Sequence, residues 1–255
     1  MRYYVVSDIH GFYTELISVL TEQGFFQDDG PRRLVVCGDL FDRGEEAVKL
    51  QDFIAELMEK DEVILVRGNH EDLALRLLED MFRGYIPAFN FDNGTVGTVC
   101  QLTGMSPEES RLDPRKAAEK FSKTPFVSRI IPAMSDYYET ENYIFVHGWI
   151  PCVATRLNGM YLYSPLPDWR SADKRLWDAA RWTNGMEAAH ESVIENGKTI
   201  VCGHWHTSFG HANYEGTCGE FSEDGDFSPY YAQGIIAIDA CTAFSHKMNC
   251  IVVED

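Results

Sequence analysis

Apolar residues fall into three successive units of the same design. Residues 3–6 form a short aromatic and β-branched run, after which Phe12, Leu16, Ile17 and Leu20 recur at helical spacing up to Gly24. Residues 34–37 repeat the run, followed by a helical face of Ala47, Leu50, Phe53, Ile54 and Leu57. Residues 63–66 repeat it again, with Leu73, Leu77, Leu78 and Met81 behind. Three strand-helix units in a row predict parallel strands covered by helices, an α/β fold. From 84 to 132 the pattern changes to Pro, Gly, Asn and Thr punctuation, with helix starts at Ser106-Pro107-Glu108 and Asp113-Pro114. This stretch reads as an inserted cap. Strands return at 143–146 and 199–202, with a helix breaking into a loop over 177–185. A long Gly-, Ser- and Asp-rich loop, 207–231, precedes two final strands, 235–239 and 249–253, expected to finish a second sheet.

At 255 residues and 45% hydrophobic content the chain, 1–255, can bury a full core as a single domain. Its 40 acidic residues against 22 basic ones give a formal net charge of −18, which argues against a nucleic-acid partner because phosphate backbones demand a basic face. Seven cysteines, an odd number without a C-x-x-C pair, fit a reducing compartment. Cys37 and Cys202 lie in apolar runs and read as small buried hydrophobes. A first strand starting at about Arg2 leaves no room for a signal peptide, and no run approaches the ~18 apolar residues of a membrane span, so a cytoplasmic protein is expected.

Four stretches place Asp, Asn or His directly after apolar strand-like runs: Asp8-Ile9-His10, Gly38-Asp39-Leu40-Phe41-Asp42-Arg43-Gly44, Arg67-Gly68-Asn69-His70-Glu71 and Gly203-His204-Trp205-His206. His147 follows a fifth run. Oxygen and nitrogen donors at several strand tips can converge on one cleft. Any one of them alone would read as a turn Asp or a helix-capping Asn. Together, in this order from residue 5 to about 239, the motifs resemble those of the calcineurin-like metallophosphoesterases, and among them the bacterial serine/threonine phosphoprotein phosphatases.

That resemblance implies a four-layer αββα sandwich of two mixed sheets and two divalent metal ions, with Mn favoured and Fe or Zn as options for a mixed oxygen and nitrogen donor set. It makes Asp39 the bridging ligand, gives Asp8 and His10 to the first metal, and gives Asn69, His147 and His204 to the second. It makes His70 the general acid, oriented by Asp42, and places Arg43, Arg67 and Arg181 on the phosphate. Phosphoprotein phosphatases stop at G-H, whereas the wider superfamily reads G-H-x-H; His206 is therefore read as a further nitrogen ligand of the first metal, the alternative being a histidine that orients a ligand or water. Trp149, Trp182 and Trp205 flank these positions and either wall the cleft or pack beneath it. His190, His211 and His246 lack motif context and read as solvent or loop histidines.

The activity implied is hydrolysis of a phosphoric monoester, foremost that of a serine/threonine protein phosphatase, by direct attack of metal-activated water on phosphorus, with a phosphorylated protein or small phosphate ester as substrate. The alternative is a diadenosine tetraphosphate hydrolase, for which Tyr85, Phe89 and Phe91 in the cap would be stacking groups. A catalytically silent binding scaffold is disfavoured because none of the costly buried charges is lost.

Overall fold

The computed structural model of the chain describes residues 1–157 and 160–255. Its first sheet has the order β11-β1-β2-β3, built from β1 (Arg2–Val6), β2 (Arg32–Cys37), β3 (Val63–Val66) and β11 (Ile251–Glu254). β1, β2 and β3 run parallel, in a register that pairs Val6 with Val36 and Cys37 with Val66, and β11 lies antiparallel to β1. The second sheet has the order β4-β5-β8-β10-β9, from β4 (Tyr138–Glu139), β5 (Tyr143–Phe145), β8 (Thr199–Cys202), β9 (Tyr230–Ala232) and β10 (Ile235–Ala237). Its three central strands are parallel and its edges antiparallel. A hairpin of β6 (Cys152–Leu157) and β7 (Met160–Pro165) stands apart from both sheets.

Strand alternation sorts the side chains into layers. Tyr3, Val5, Val35, Cys37, Val66, Ile251 and Val253 of the first sheet pack with Phe145, Val201 and Ile238 from the second between the two sheets. The opposite face of the first sheet, with Tyr4, Val6, Leu34 and Val36, packs on helices α1 (Tyr13–Glu22), α2 (Ala47–Glu59) and α3 (Asn69–Arg83). The outer face of the second, with Ile144, Ile200 and Ala237, packs on Trp149, Trp177 and Met186. The last two belong to α9 (Lys174–Ala180) and α10 (Gly185–His190). This is the αββα sandwich.

The segment 84–132 carries α4 (Phe89–Asp92), α5 (Thr95–Thr103), α6 (Pro107–Leu112) and α7 (Pro114–Phe121), ahead of the short α8 (Ile131–Ala133). Ser106 and Asp113 cap α6 and α7, each with Pro in the first turn. Val96, Val99, Phe121 and Phe126 share the core of the first helical layer, so the segment is packed into the sandwich as well as lying beside the site.

Two expectations need correction. The strand at 249–253 does not finish the second sheet: β11 starts at Ile251 and pairs with β1 at the edge of the first, with Ile251 and Val253 turned to the core and Val252 outward. The long loop at 207–231 opens with a short helix, α11 (Thr207–Gly210), and a further helical turn, His211–Glu215. His211 is buried there between Glu215 and the Ser228 carbonyl rather than facing solvent.

Candidate metal centre

In both sheets the parallel strands run the same way toward one edge, and the two to four residues after each strand carry the chemistry. Asp8 and His10 follow β1, Asp39 follows β2, Asn69 starts α3 after β3, His147 follows β5 and His204 follows β8. The tight turns demand left-handed backbone: φ is 51° at Asp8, 49° at His10, 56° at Asp39, 78° at Asp42, 70° at Arg43 and 65° at His204. Such conformations disfavour residues with a Cβ and cluster at functional sites. Glycines allow the loops to touch. A Cβ on Gly68 would fall 2.1 Å from the Asp39 carboxylate, and one on Gly203 2.1 Å from that of Asp8.

Asp39 is the hub. Its Oδ2 stands 3.4 Å from His147 Nε2, 3.8 Å from His10 Nε2 and 4.0 Å from His70 Nε2. Among the described residues two groups have donor atoms close enough to share an ion: His10, Asp39 and His70, and Asp39, His147 and His204. Backbone carbonyls set the tautomers. His10 Nδ1 lies 2.9 Å from the Phe41 carbonyl and His147 Nδ1 2.8 Å from that of Cys37. A carbonyl only accepts, so each Nδ1 donates; in a neutral ring this leaves Nε2 as the lone-pair nitrogen, the form a metal needs. Burial pushes His204 down to about 3 and His10 well below its ordinary value, so both rings are neutral. Burial pushes Asp39 up, but the surrounding imidazoles outweigh it and hold its carboxyl below the usual range.

At other carboxylates burial prevails over the compensation. Burial and the nearby Asp39 push Asp8 up, and burial and the nearby Asp8 push Asp239, at the end of β10, well up. A cluster of buried acids with inward-facing imidazole lone pairs fits divalent cations, which would relieve this repulsion. The cation nearest to His10 is the Arg43 guanidinium, whose Nη1 lies 2.9 Å from its Nε2.

His70 differs from the other rings. Its Nδ1 is 2.6 Å from Asp42 Oδ2. Burial favours its neutral form, but Asp39 and Asp42 outweigh burial and raise it to about 9. A ring held protonated at neutral pH suits proton donation rather than ligation. Asp42 in turn accepts from the Thr95 and Thr98 hydroxyls at 2.8 and 2.7 Å. Beneath Asp39, Glu71 takes the N–H groups of Gly68, Leu40 and Asp39 at 2.7, 2.9 and 3.1 Å, tying two of the loops together.

The cleft above this cluster holds about 120 Å³ and is lined by Asp8, His10, Asp39, Arg43, Asn69, His70 and His204 together with Leu73, Asn93 and Trp182. His147 lies behind Asn69, with Nε2 2.7 Å from Asn69 Oδ1. Three sequence-based placements are not met. Arg181 does not reach the cleft: it is buried, and Asp72, Asp136 and Asp178 take its guanidinium at 2.7, 2.7 and 2.5 Å, leaving no face for a phosphate. Arg67 points to the neighbouring cavity, with Nη2 on the Ile131 carbonyl at 3.2 Å. His206 turns toward the 207–231 segment, its Nδ1 2.8 Å from Ser208 Oγ and its Nε2 3.1 Å from Glu220. Both of its nitrogens are occupied away from Asp39.

Trp149 is buried and donates to the Val193 carbonyl, a packing role, and Tyr85, Phe89 and Phe91 do not line the cleft. Thr95, Thr98 and Asp239 were missed in the sequence. For Glu71 a signal was present in the sequence, since a Glu three residues after a helix-capping Gly is a recognisable capping pattern.

The family model for calcineurin-like phosphoesterases matches residues 1–208. The chain belongs to this family. Among curated relatives, Bis(5'-nucleosyl)-tetraphosphatase PrpE [asymmetrical] of Bacillus velezensis is 40% identical over 131 residues, 49% of this chain and 50% of that protein. The PrpE of Bacillus subtilis is 36% identical over 129 residues, 48% and 49% respectively. The chain thus spans about half the length of these relatives. Among solved structures, a cold-active protein tyrosine phosphatase superposes with a TM-score of 0.56 at 16% identity, covering 99% of this chain and 73% of that one. A candidate diadenosine tetraphosphatase gives 0.52 at 16% identity, covering 98% and 88%. At that identity these two speak for the fold alone. No helix among the described residues is long and apolar enough to cross a membrane.

Proposed function

We propose that this calcineurin-like phosphoesterase is a metal-dependent hydrolase of dinucleoside polyphosphates, of the diadenosine tetraphosphate type. One observation carries the hydrolase: the buried Asp39 carboxylate encircled by His10, His70 and His147, with His70 alone of the three hydrogen-bonded to a second carboxylate, Asp42. Asp8, His10 and Asp39 would hold one ion, and Asp39, Asn69, His147 and His204 the other. Two divalent ions would neutralise phosphoryl charge and make water a usable nucleophile at neutral pH. Arg43, at the cleft wall between His10 and His70, would hold phosphoryl oxygens in its planar fork. His70 would deliver its Nε2 proton to the departing oxygen while Asp42 keeps the ring in place.

The substrate class rests on the names of the relatives matched at 40% and 36% identity, which favour the dinucleoside reading over the protein serine/threonine phosphatase placed first on motifs alone. The test is a hydrolysis panel with Mn-loaded protein comparing diadenosine tetraphosphate, a phosphoserine peptide and p-nitrophenyl phosphate. The expected products of the first are ATP and AMP, the unequal split. Turnover of the peptide with diadenosine tetraphosphate left intact would overturn the reading.

A further inference from the structure

The cleft over Asp39, at about 120 Å³, has room for a phosphoryl group and little more, so the rest of any nucleotide must lie outside it. Asn69, Leu73 and Trp182 line both it and a neighbouring cavity of about 410 Å³, within the size range of small-molecule sites. Trp182 stands in the wall common to both, 53% exposed, its ring meeting that of His204 at 87° with centroids 5.7 Å apart. An indole this open beside a phosphate-sized cleft is a stacking platform, because every base presents a π-face.

The charges around the cavity point the same way. On a chain of net charge −18 an anion needs a local reprieve, and the buried Arg181 supplies one by binding Asp72 and Asp178, two of the cavity's acids. Arg67 and Arg76 also line the cavity, and Arg76 forms no ion pair among the described residues. Resting on the proposed function above, we propose that this cavity holds one nucleoside arm of the substrate, with the base on Trp182 and the adjoining phosphates within reach of Arg67 and Arg76.

The test is inhibition of p-nitrophenyl phosphate turnover by AMP and by ribose 5-phosphate, which differ only by the base, in wild type, Trp182→Ala and Trp182→Phe. The ratio of the two inhibition constants is read within each protein, so a change in turnover transmitted through His204 cancels. AMP is expected to inhibit at least ~10-fold more tightly than ribose 5-phosphate in wild type, in line with base-aromatic stacking. That preference should collapse in Trp182→Ala and return in large part in Trp182→Phe. Equal inhibition by the two in wild type, or a preference that survives Trp182→Ala, would overturn the inference. A Trp182-dependent preference for AMP without cleavage of diadenosine tetraphosphate would keep the subsite and reject the substrate. Cleavage without the preference would do the reverse. A phosphoserine peptide competing more tightly than AMP, in a Trp182-dependent way, would assign the cavity to a peptide and reject the nucleoside.

Discussion

His70 Nδ1 and Asp42 Oδ2 stand 2.6 Å apart, and the same carboxylate is gripped by the hydroxyls of Thr95 and Thr98 from a helix more than fifty residues further along the chain. The His70 ring is thus aimed by the segment that inserts beside the site. His70→Asn should lower kcat by ~10²–10⁴ on an alkyl phosphate, the range for loss of a general acid. The loss should be much smaller on p-nitrophenyl phosphate, whose phenolate leaves without help. Equal losses on both would assign His70 another task.

Thr98→Val, which removes the hydroxyl and keeps the shape, should lower kcat on the alkyl phosphate by roughly 3–30-fold with KM little moved, since a hydrogen bond to a charged group contributes about 1.5–3 kcal/mol and Thr95 remains. Thr98→Ser should restore most of it. If Val and Ser variants behave alike, the hydroxyl is not what positions Asp42.

Arg181 should matter for folding before chemistry. Arg181→Met removes the cation shared by Asp72, Asp136 and Asp178, and breaking a buried pair costs ~3–5 kcal/mol, here about 3 because Asp136 and Asp178 keep some solvent and Asp178 keeps Lys174. Thermal denaturation should show a Tm lower by roughly 6–12 °C. A variant of unchanged Tm with kcat/KM reduced tenfold would return Arg181 to the phosphate. Arg43→Lys should do the opposite, keeping Tm and losing kcat/KM with its fork.

Chelation should abolish turnover, and Asp39→Asn should leave the protein folded and nearly inactive, because a neutral amide bridges two cations poorly. Metal content per chain, measured before and after chelation, tracks the loss. Full turnover by thoroughly demetallated protein would sink the metal assignment.

His206→Ala should leave metal stoichiometry unchanged in a calorimetric titration, since Ser208 and Glu220 already occupy both ring nitrogens. Loss of one of two binding steps would show that the ring turns inward to a metal.

Residues defined by their position after a strand were legible in the sequence. Asp8, Asp39 and His204 sit one or two residues beyond apolar runs, so register alone delivers them to one edge. Side chains whose role depends on remote partners were not. Arg181 is consumed by acids from α3, from the turn before β4 and from its own helix. His206 is turned away by Glu220, which lies in a loop without periodicity. The β6-β7 hairpin escaped notice because β6 is exposed along most of its length and shows no apolar alternation. For β11, alternation identified a half-buried strand but could not say which sheet edge it would join.

The left-handed turns at Asp8, His10, Asp39, Asp42, Arg43 and His204 carry a consequence for laboratory evolution of this chain. Each holds a side chain in backbone geometry disfavoured by roughly 1–2 kcal/mol, and glycine would relax every one of them. Selection for thermal endurance alone would therefore reward erosion of the very loops that do the chemistry, and the toughest survivors would be inert. Only a screen that reads turnover and heat resistance in the same cell would keep both.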